Sequence, residues 1–156
     1  MEIAEFQRKD QKETLQFCMS IFDEFGVDVS FYRGLDDFAG FFGKPGSVFL
    51  IVRDSGSIIG CGGLLKISKE EAEVKRFYIH REYRGTGLAQ RLLEILIKRA
   101  KGMGYRHLVM DTHTENKKSQ RFFKKRGFRY YRPKPTRKWL DTFTEDKYVF
   151  MRLKIG

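Results

Sequence analysis

The run Arg84-Gly85-Thr86-Gly87-Leu88-Ala89 has the residue types of an anion cradle between a strand and a helix. Upstream, Ala72 to Ile79 reads as a strand. Downstream, Leu88, Leu92, Leu96 and Arg99 form one helical stripe, with Leu93, Ile97 and Ala100 beside it, out to about Met103. The first turn of a helix offers unpaired N–H groups and a partial positive charge, which together suit a phosphate. Glycine lets the backbone approach the anion and adopt φ > 0. Arg84 adds a charged donor at the loop mouth. A P-loop is excluded because no Gly-Lys-Ser/Thr closes the motif. A dinucleotide fingerprint fits poorly, since Gln90 stands where its third glycine belongs. On the loop alone, a purely structural turn is the remaining alternative.

One carboxylate, Glu73, precedes the loop on the same strand. An alkyl amine, with a pKa of about 10.4, must lose a proton before it can act as a nucleophile, and a carboxylate can take it directly or through water. Alternation places Glu73, Lys75, Phe77 and Ile79 on one face unless a bulge intervenes. The alternative role for Glu73 is a structural ion pair with a neighbouring Lys or Arg. Lys75 or Arg76 could hold an acceptor carboxylate or simply be solvated. Phe31, Tyr32, Phe38, Phe41 and Phe42 either line an acceptor pocket or pack the first helices. His80, His107 and His113 lack metal-ligand spacing, and Cys18 and Cys61 are dispersed, so no zinc site is expected. His113 is the histidine nearest the expected cleft.

The segment from Val74 to Ala89 resembles the central motif of the GNAT family of N-acetyltransferases, Arg/Gln-x-x-Gly-x-Gly/Ala, with Arg84, Gly87 and Ala89 in those places. The resemblance continues to Asn116 and to Gly127-Phe128. It implies an α/β (α+β) fold with a mixed, mostly antiparallel central sheet, a parallel central strand pair and helices on both faces. It implies acetyl-coenzyme A as cofactor, its pyrophosphate held by the amides of Gly85, Thr86, Gly87, Leu88 and Ala89. The backbone of Phe77, Tyr78 and Ile79 would pair with the pantetheine arm as an added strand, and Asn116 would hydrogen-bond that arm. Glu73 occupies the place where similar members carry a glutamate base. Phe123 stands on the cofactor side where the family shows a tyrosine acid, so it leaves the thiolate without that proton donor. Tyr130 or Tyr131 could substitute, although packing is their commoner role, and catalysis without a dedicated acid is the preferred expectation.

The elements that must position these residues follow from pattern. Met1–Phe6 reads as a strand and Asp10–Phe25 as a helix with Asp10 as N-cap. Gly34–Gly43 reads as a short helix or lid, and Ser47–Val52 and Ile58–Ile67 as a hairpin around Asp54-Ser55-Gly56-Ser57. Gly60, Gly62 and Gly63 inside that hairpin suggest a bulge or a close backbone approach. His107–Thr112 is a strand, Asn116–Arg126 a basic helix, and Phe128–Tyr131 and Tyr148–Ile155 the last strands, joined around Pro133 and Pro135. This order gives a mixed sheet whose central pair is parallel.

The 156 residues suit one domain spanning 1–156. No apolar run approaches a membrane span, and the acidic start of the chain is unlike a signal peptide. The cysteines read as reduced core residues of a cytoplasmic protein. The net charge of +11 is concentrated: Lys117 to Lys138 holds 11 basic residues and no acidic one, so the other 20 basic residues match the 20 acidic ones. Such a patch attracts a phosphorylated cofactor, nucleic acid or an acidic partner, or is a solvated helix face. The leading expectation is an acetyl-coenzyme A-dependent N-acetyltransferase acting on a primary amine of a small molecule, an amino acid or its derivative among the candidates, with no membrane partner, as a monomer or homodimer. A macromolecular acceptor and a nucleic-acid-binding module using residues 117–138 are the alternatives.

Overall fold

Apolar residues at helical spacing on Phe17, Cys18, Ile21 and Phe22 bury one side of the first helix, and Leu88, Leu92, Leu93, Leu96 and Ala100 do the same for the third. The computed structural model describes residues 1–29, 34–134 and 147–156. Its elements are β1 (Glu2–Glu5), α1 (Gln11–Phe25), α2 (Phe38–Phe42), β2 (Val48–Asp54), β3 (Ser57–Lys66) and β4 (Glu71–Ile79). They continue with α3 (Leu88–Gly102), β5 (His107–His113), α4 (Lys117–Lys125), β6 (Arg129–Tyr130) and β7 (Tyr148–Lys154). Phe31, Tyr32, Pro135 and Lys138, named above, lie outside the described residues.

The strands form one sheet in the order β1-β2-β3-β4-β5-β7-β6. Every neighbouring pair is antiparallel except β4 and β5. A parallel pair needs a crossover, and α3 supplies it. Two apolar clusters lie on opposite sides of the sheet. One gathers α3 with Phe123 and Phe128, the other α1 with Phe38, Phe42 and Phe49. Phe38 and Phe42 are packed in this cluster, with ring centroids 5.0 and 4.7 Å from Phe49.

Two local expectations are corrected. Asp10 precedes α1 but its side chain does not cap it. Instead its carboxylate accepts from the Gln7 N–H at 2.8 Å and pairs with Arg53 at 3.0 Å, because a preceding 3-10 turn presents it toward β2. The second correction concerns the face of Glu73. Between Gly63↔Lys75 and Cys61↔Tyr78, β4 carries one residue more than β3, and Arg76 takes φ 54°. This bulge reverses the alternation. Phe77 and Ile79 join Ala72 and Val74 against α3, whereas Tyr78 meets Phe22 of α1 at 5.4 Å. Glu73 and Lys75, alternating with Val74, thus face the opposite side from Phe77 and Ile79.

The expected close approach is at Gly63, where an added Cβ would lie 2.6 Å from Phe42 Cε1 and 2.7 Å from Phe49 Cδ2. Gly63→Ala should destabilise the fold by about 1–3 kcal/mol through overpacking. Thermal unfolding should register that as a fall of roughly 3–10 °C; an unchanged midpoint would show that the rings yield freely.

Candidate active site

The loop predicted to bind an anion does stand at the start of α3. Gly87 is the N-cap with φ 89°, Gly85 has φ 76°, and neither Cα has a protein atom within 4 Å of where a Cβ would be. The first helical bond runs from Arg91 N to Gly87 O at 3.0 Å, so the preceding N–H groups have no partner within the helix. No acidic residue stands in this first turn. Thr86, Leu88 and Ala89 complete the cradle; Leu88 also anchors the helix in the core and Thr86 Oγ1 donates to Tyr83 O.

Arg84 plays a different part from the free donor expected. Its guanidinium donates to both oxygens of Glu24 at 2.5 and 3.0 Å and, through Nε, to Ile79 O at 3.0 Å. The pairing holds the Glu24 carboxyl below its ordinary range. Arg84 thus ties the loop to α1 and to the end of β4, and fixes the cradle instead of pointing into it.

Beside the cradle the sheet opens. β4 and β5 pair only from Glu71↔His107 to Glu73↔Val109. Among the described residues the ladder ends at Glu73↔Val109, so the β5-facing edge from Phe77 to Ile79 lies past the end of that pairing, with Ile79 O accepting from Arg84 Nε. From Glu73 to Ile79 is about 20 Å of extended chain, so vertex, open edge and cradle lie in sequence along one strand.

The vertex is charged. Glu73 is 1% exposed; its Oε1 lies 3.2 Å from Lys75 Nζ and its Oε2 has no hydrogen-bond partner. A buried carboxylate oxygen without a donor is costly, so the arrangement asks for a cationic or N–H-bearing ligand. Arg76 is buried at the bulge. Across the opening, on β5, stands Asp111, whose carboxyl is pushed up to about 7 by loss of hydration and by the negative charge of Glu73, against the opposing charges of Lys75 and Arg76. Burial, and then the charge of Asp111, raise the Tyr148 phenol of β7. The His113 ring meets Tyr148 at 5.6 Å, and its Nδ1 accepts from the Glu115 N–H. Asp111 and Tyr148 escaped the sequence reading. The available signal was a single acid inside the apolar strand Leu108-Val109-Met110-Asp111, which had no partner until the sheet was assembled.

On α4, Asn116 is the N-cap, its Oδ1 accepting from Ser119 N at 3.1 Å. Gln120, also missed, is buried and joins His113 O, Thr114 O and the Tyr130 hydroxyl, so Tyr130 is committed to this bridge. Tyr131 lies under Arg152. Phe123 is 4% exposed and packs on Phe77, Phe122 and Phe128. It packs against the strand at Phe77. Arg126 donates to Gln90 on α3 at 3.1 Å, while Lys117, Lys118, Arg121, Lys124 and Lys125 are exposed. The larger cavity, about 320 Å³, lies at the far end of α3 among Phe6, Phe42, Arg99 and Met103 and touches none of these groups.

The ladder between β4 and β5 thus ends beside a glycine-lined helix start. The profile of the acetyltransferase (GNAT) family matches residues 14–128, so the chain belongs to that family and is an N-acetyltransferase of it. It is 30% identical over 143 residues to an uncharacterized N-acetyltransferase of Schizosaccharomyces pombe, covering 85% of this chain and 81% of that one. The fold is similar to the crystal structure of a GNAT-family acetyltransferase from Staphylococcus aureus Mu50, with a TM-score of 0.85, 20% identity and 99% of each chain covered. It is also similar to the PaiA N-acetyltransferase of Thermoplasma acidophilum in complex with coenzyme A, with a TM-score of 0.74, 18% identity and 98% of each chain covered. No helix among the described residues is long and apolar enough to cross a membrane.

Proposed function

We propose that this protein transfers an acetyl group from acetyl-coenzyme A to a primary amine of a small molecule, by direct attack of the amine on the thioester. The observation that carries this reading is the alignment along β4 of an open glycine cradle, a strand edge past the end of its β5 ladder and a carboxylate vertex. The residues fit the cofactor. Amides from Gly85 to Ala89 hold its pyrophosphate at the positive end of α3. The β5-facing edge of Phe77, Tyr78 and Ile79 receives its arm, and the amide NH₂ of Asn116 reaches that arm from the α4 cap. The cofactor, when bound, supplies the activated acetyl group. Glu73 is the catalytic carboxylate facing the amine. Phe123, replacing the family's tyrosine, donates no proton, so the departing thiolate takes one from solvent. Free, buried Cys18 and Cys61 suit a reducing, cytoplasmic setting.

Calorimetry with acetyl-coenzyme A tests the reading, and absence of heat at millimolar cofactor would overturn it. Gly87→Val should weaken binding about 10–100-fold, the worth of a charge-assisted hydrogen bond, because φ 89° disfavours a side chain and the cradle must reshape. The exposed cations of α4 favour a second reading, an acceptor amine carried on RNA. In that case affinity for RNA should fall steeply with salt, and a flat response excludes it.

A further inference from the structure

The cations at the vertex are largely engaged. Lys75 pairs with Glu73, and Arg76, buried at the bulge, has a partner of its own although its Nε makes no hydrogen bond. Beside them stand two acids: Glu73 of β4, whose Oε2 has no hydrogen-bond partner, and Asp111 of β5. The register brings them together. Glu73 pairs with Val109, so Asp111 lies two residues up its strand on the same face, opposite Lys75, where the two strands part.

We propose that Glu73 Oε2 and the Asp111 carboxylate form the acceptor subsite, that it takes an alkylammonium with no carboxylate on the amine-bearing carbon, and that Asp111 receives the proton. This rests on the acetyl-transfer reading above. An ammonium brings three N–H donors and no acceptor, which satisfies the orphaned Oε2 and the facing carboxylate together. An α-amino acid would bring a carboxylate against both acids, and of the cationic groups at the vertex only the buried Nε of Arg76 lacks a hydrogen-bond partner among the described residues. The groups facing Asp111 are Glu73, Lys75 and Arg76 of β4 and Tyr148 of β7, with His113 next on its own face. At about 7, Asp111 takes a proton from an ammonium about a thousandfold more readily than an ordinary aspartate.

The step balances. One N–H proton of the ammonium passes to an Asp111 oxygen and leaves a neutral amine. Its lone pair forms the N–C bond to the acetyl carbon as the C–S bond breaks, the electron pair leaving with sulfur. The second amine proton reaches the thiolate through solvent, and Asp111 returns its proton to water.

Carbon-13 NMR of the full chain labelled at aspartate carboxyls tests the subsite, with n-butylammonium as probe and glycine as control. Asp111 should titrate near 7, drop by about one unit or more at saturating n-butylammonium, and ignore glycine. Glu73→Gln should lower its midpoint by removing a facing negative charge. A wild-type midpoint below 5, no response to n-butylammonium, or an equal response to glycine overturns the proposal. In thiol-release assays with n-butylamine, Asp111→Asn should cut kcat/KM about 100-fold and remove the acid limb near pH 7, with cofactor affinity unchanged; a retained limb removes Asp111 from the chemistry. If acetyl-coenzyme A fails to bind, the transfer reading falls while the titration still decides the subsite.

Discussion

Glu73→Gln should lower turnover by about 10²–10⁴-fold, the usual weight of a general base or of the carboxylate that holds its partner, while calorimetric affinity for acetyl-coenzyme A stays within about twofold. Glutamine preserves the shape and one carbonyl oxygen, so β4 keeps its course and the cradle beyond Ile79 is untouched. What it loses is the negative charge at Oε2, the atom that the protein leaves without a donor. It also releases Lys75, which is then free to repel an incoming ammonium. Both effects act on the amine and neither on the cofactor. Should the variant turn over normally, Glu73 is only the structural partner of Lys75. Should cofactor affinity fall with turnover, the vertex and the cradle are coupled through β4, and the division of roles along the strand is wrong.

Asp111→Asn should make the protein more stable above pH 7 and leave it unchanged near pH 4. In the folded chain this carboxyl is raised to about 7, against an ordinary 3.8. Between these values the folded state holds the proton more tightly than the unfolded state. The stability this group contributes is therefore present below about pH 4 and is lost as pH rises through about 7. Three pK units correspond to about 4 kcal/mol, an upper bound because Asp111 keeps some contact with water. Asparagine removes the titration. Urea melts at pH 4, 6 and 8 should show wild-type stability declining relative to the variant across that range. Parallel curves would mean that the Asp111 carboxyl is not raised. A gain in stability together with a loss of activity would mark the position as one where function is kept at the expense of the fold.

Much of this protein was written locally. The glycine loop, the helix after it and the Asn116 cap are short-range features, governed by hydrogen bonds within a few residues, so the order of elements and the cradle at α3 could be read in line. The apolar stripes of α1 and α3 likewise declared which sides would be buried. The parallel pair followed from a helix that must cross between two strands.

What only the tertiary structure decided depends on partners far apart in the chain. The bulge at Arg76 exists because β4 runs one residue longer than β3 between two paired positions, and period-two alternation carries no mark of it. It turns Glu73 away from Phe77 and Ile79. Arg84 had the composition of a ligand donor, yet Glu24, sixty residues earlier, claims it. The packing of Phe123 against Phe77 likewise joins residues far apart in the chain. Asp111 acquired its meaning only when the sheet put it beside Glu73 and took part of its hydration. The sequence by itself determined that a helix would start at Gly87 with N–H groups unpaired within it, because helix geometry alone creates them. The charge at the vertex was decided by strand register and burial, which no local pattern encodes.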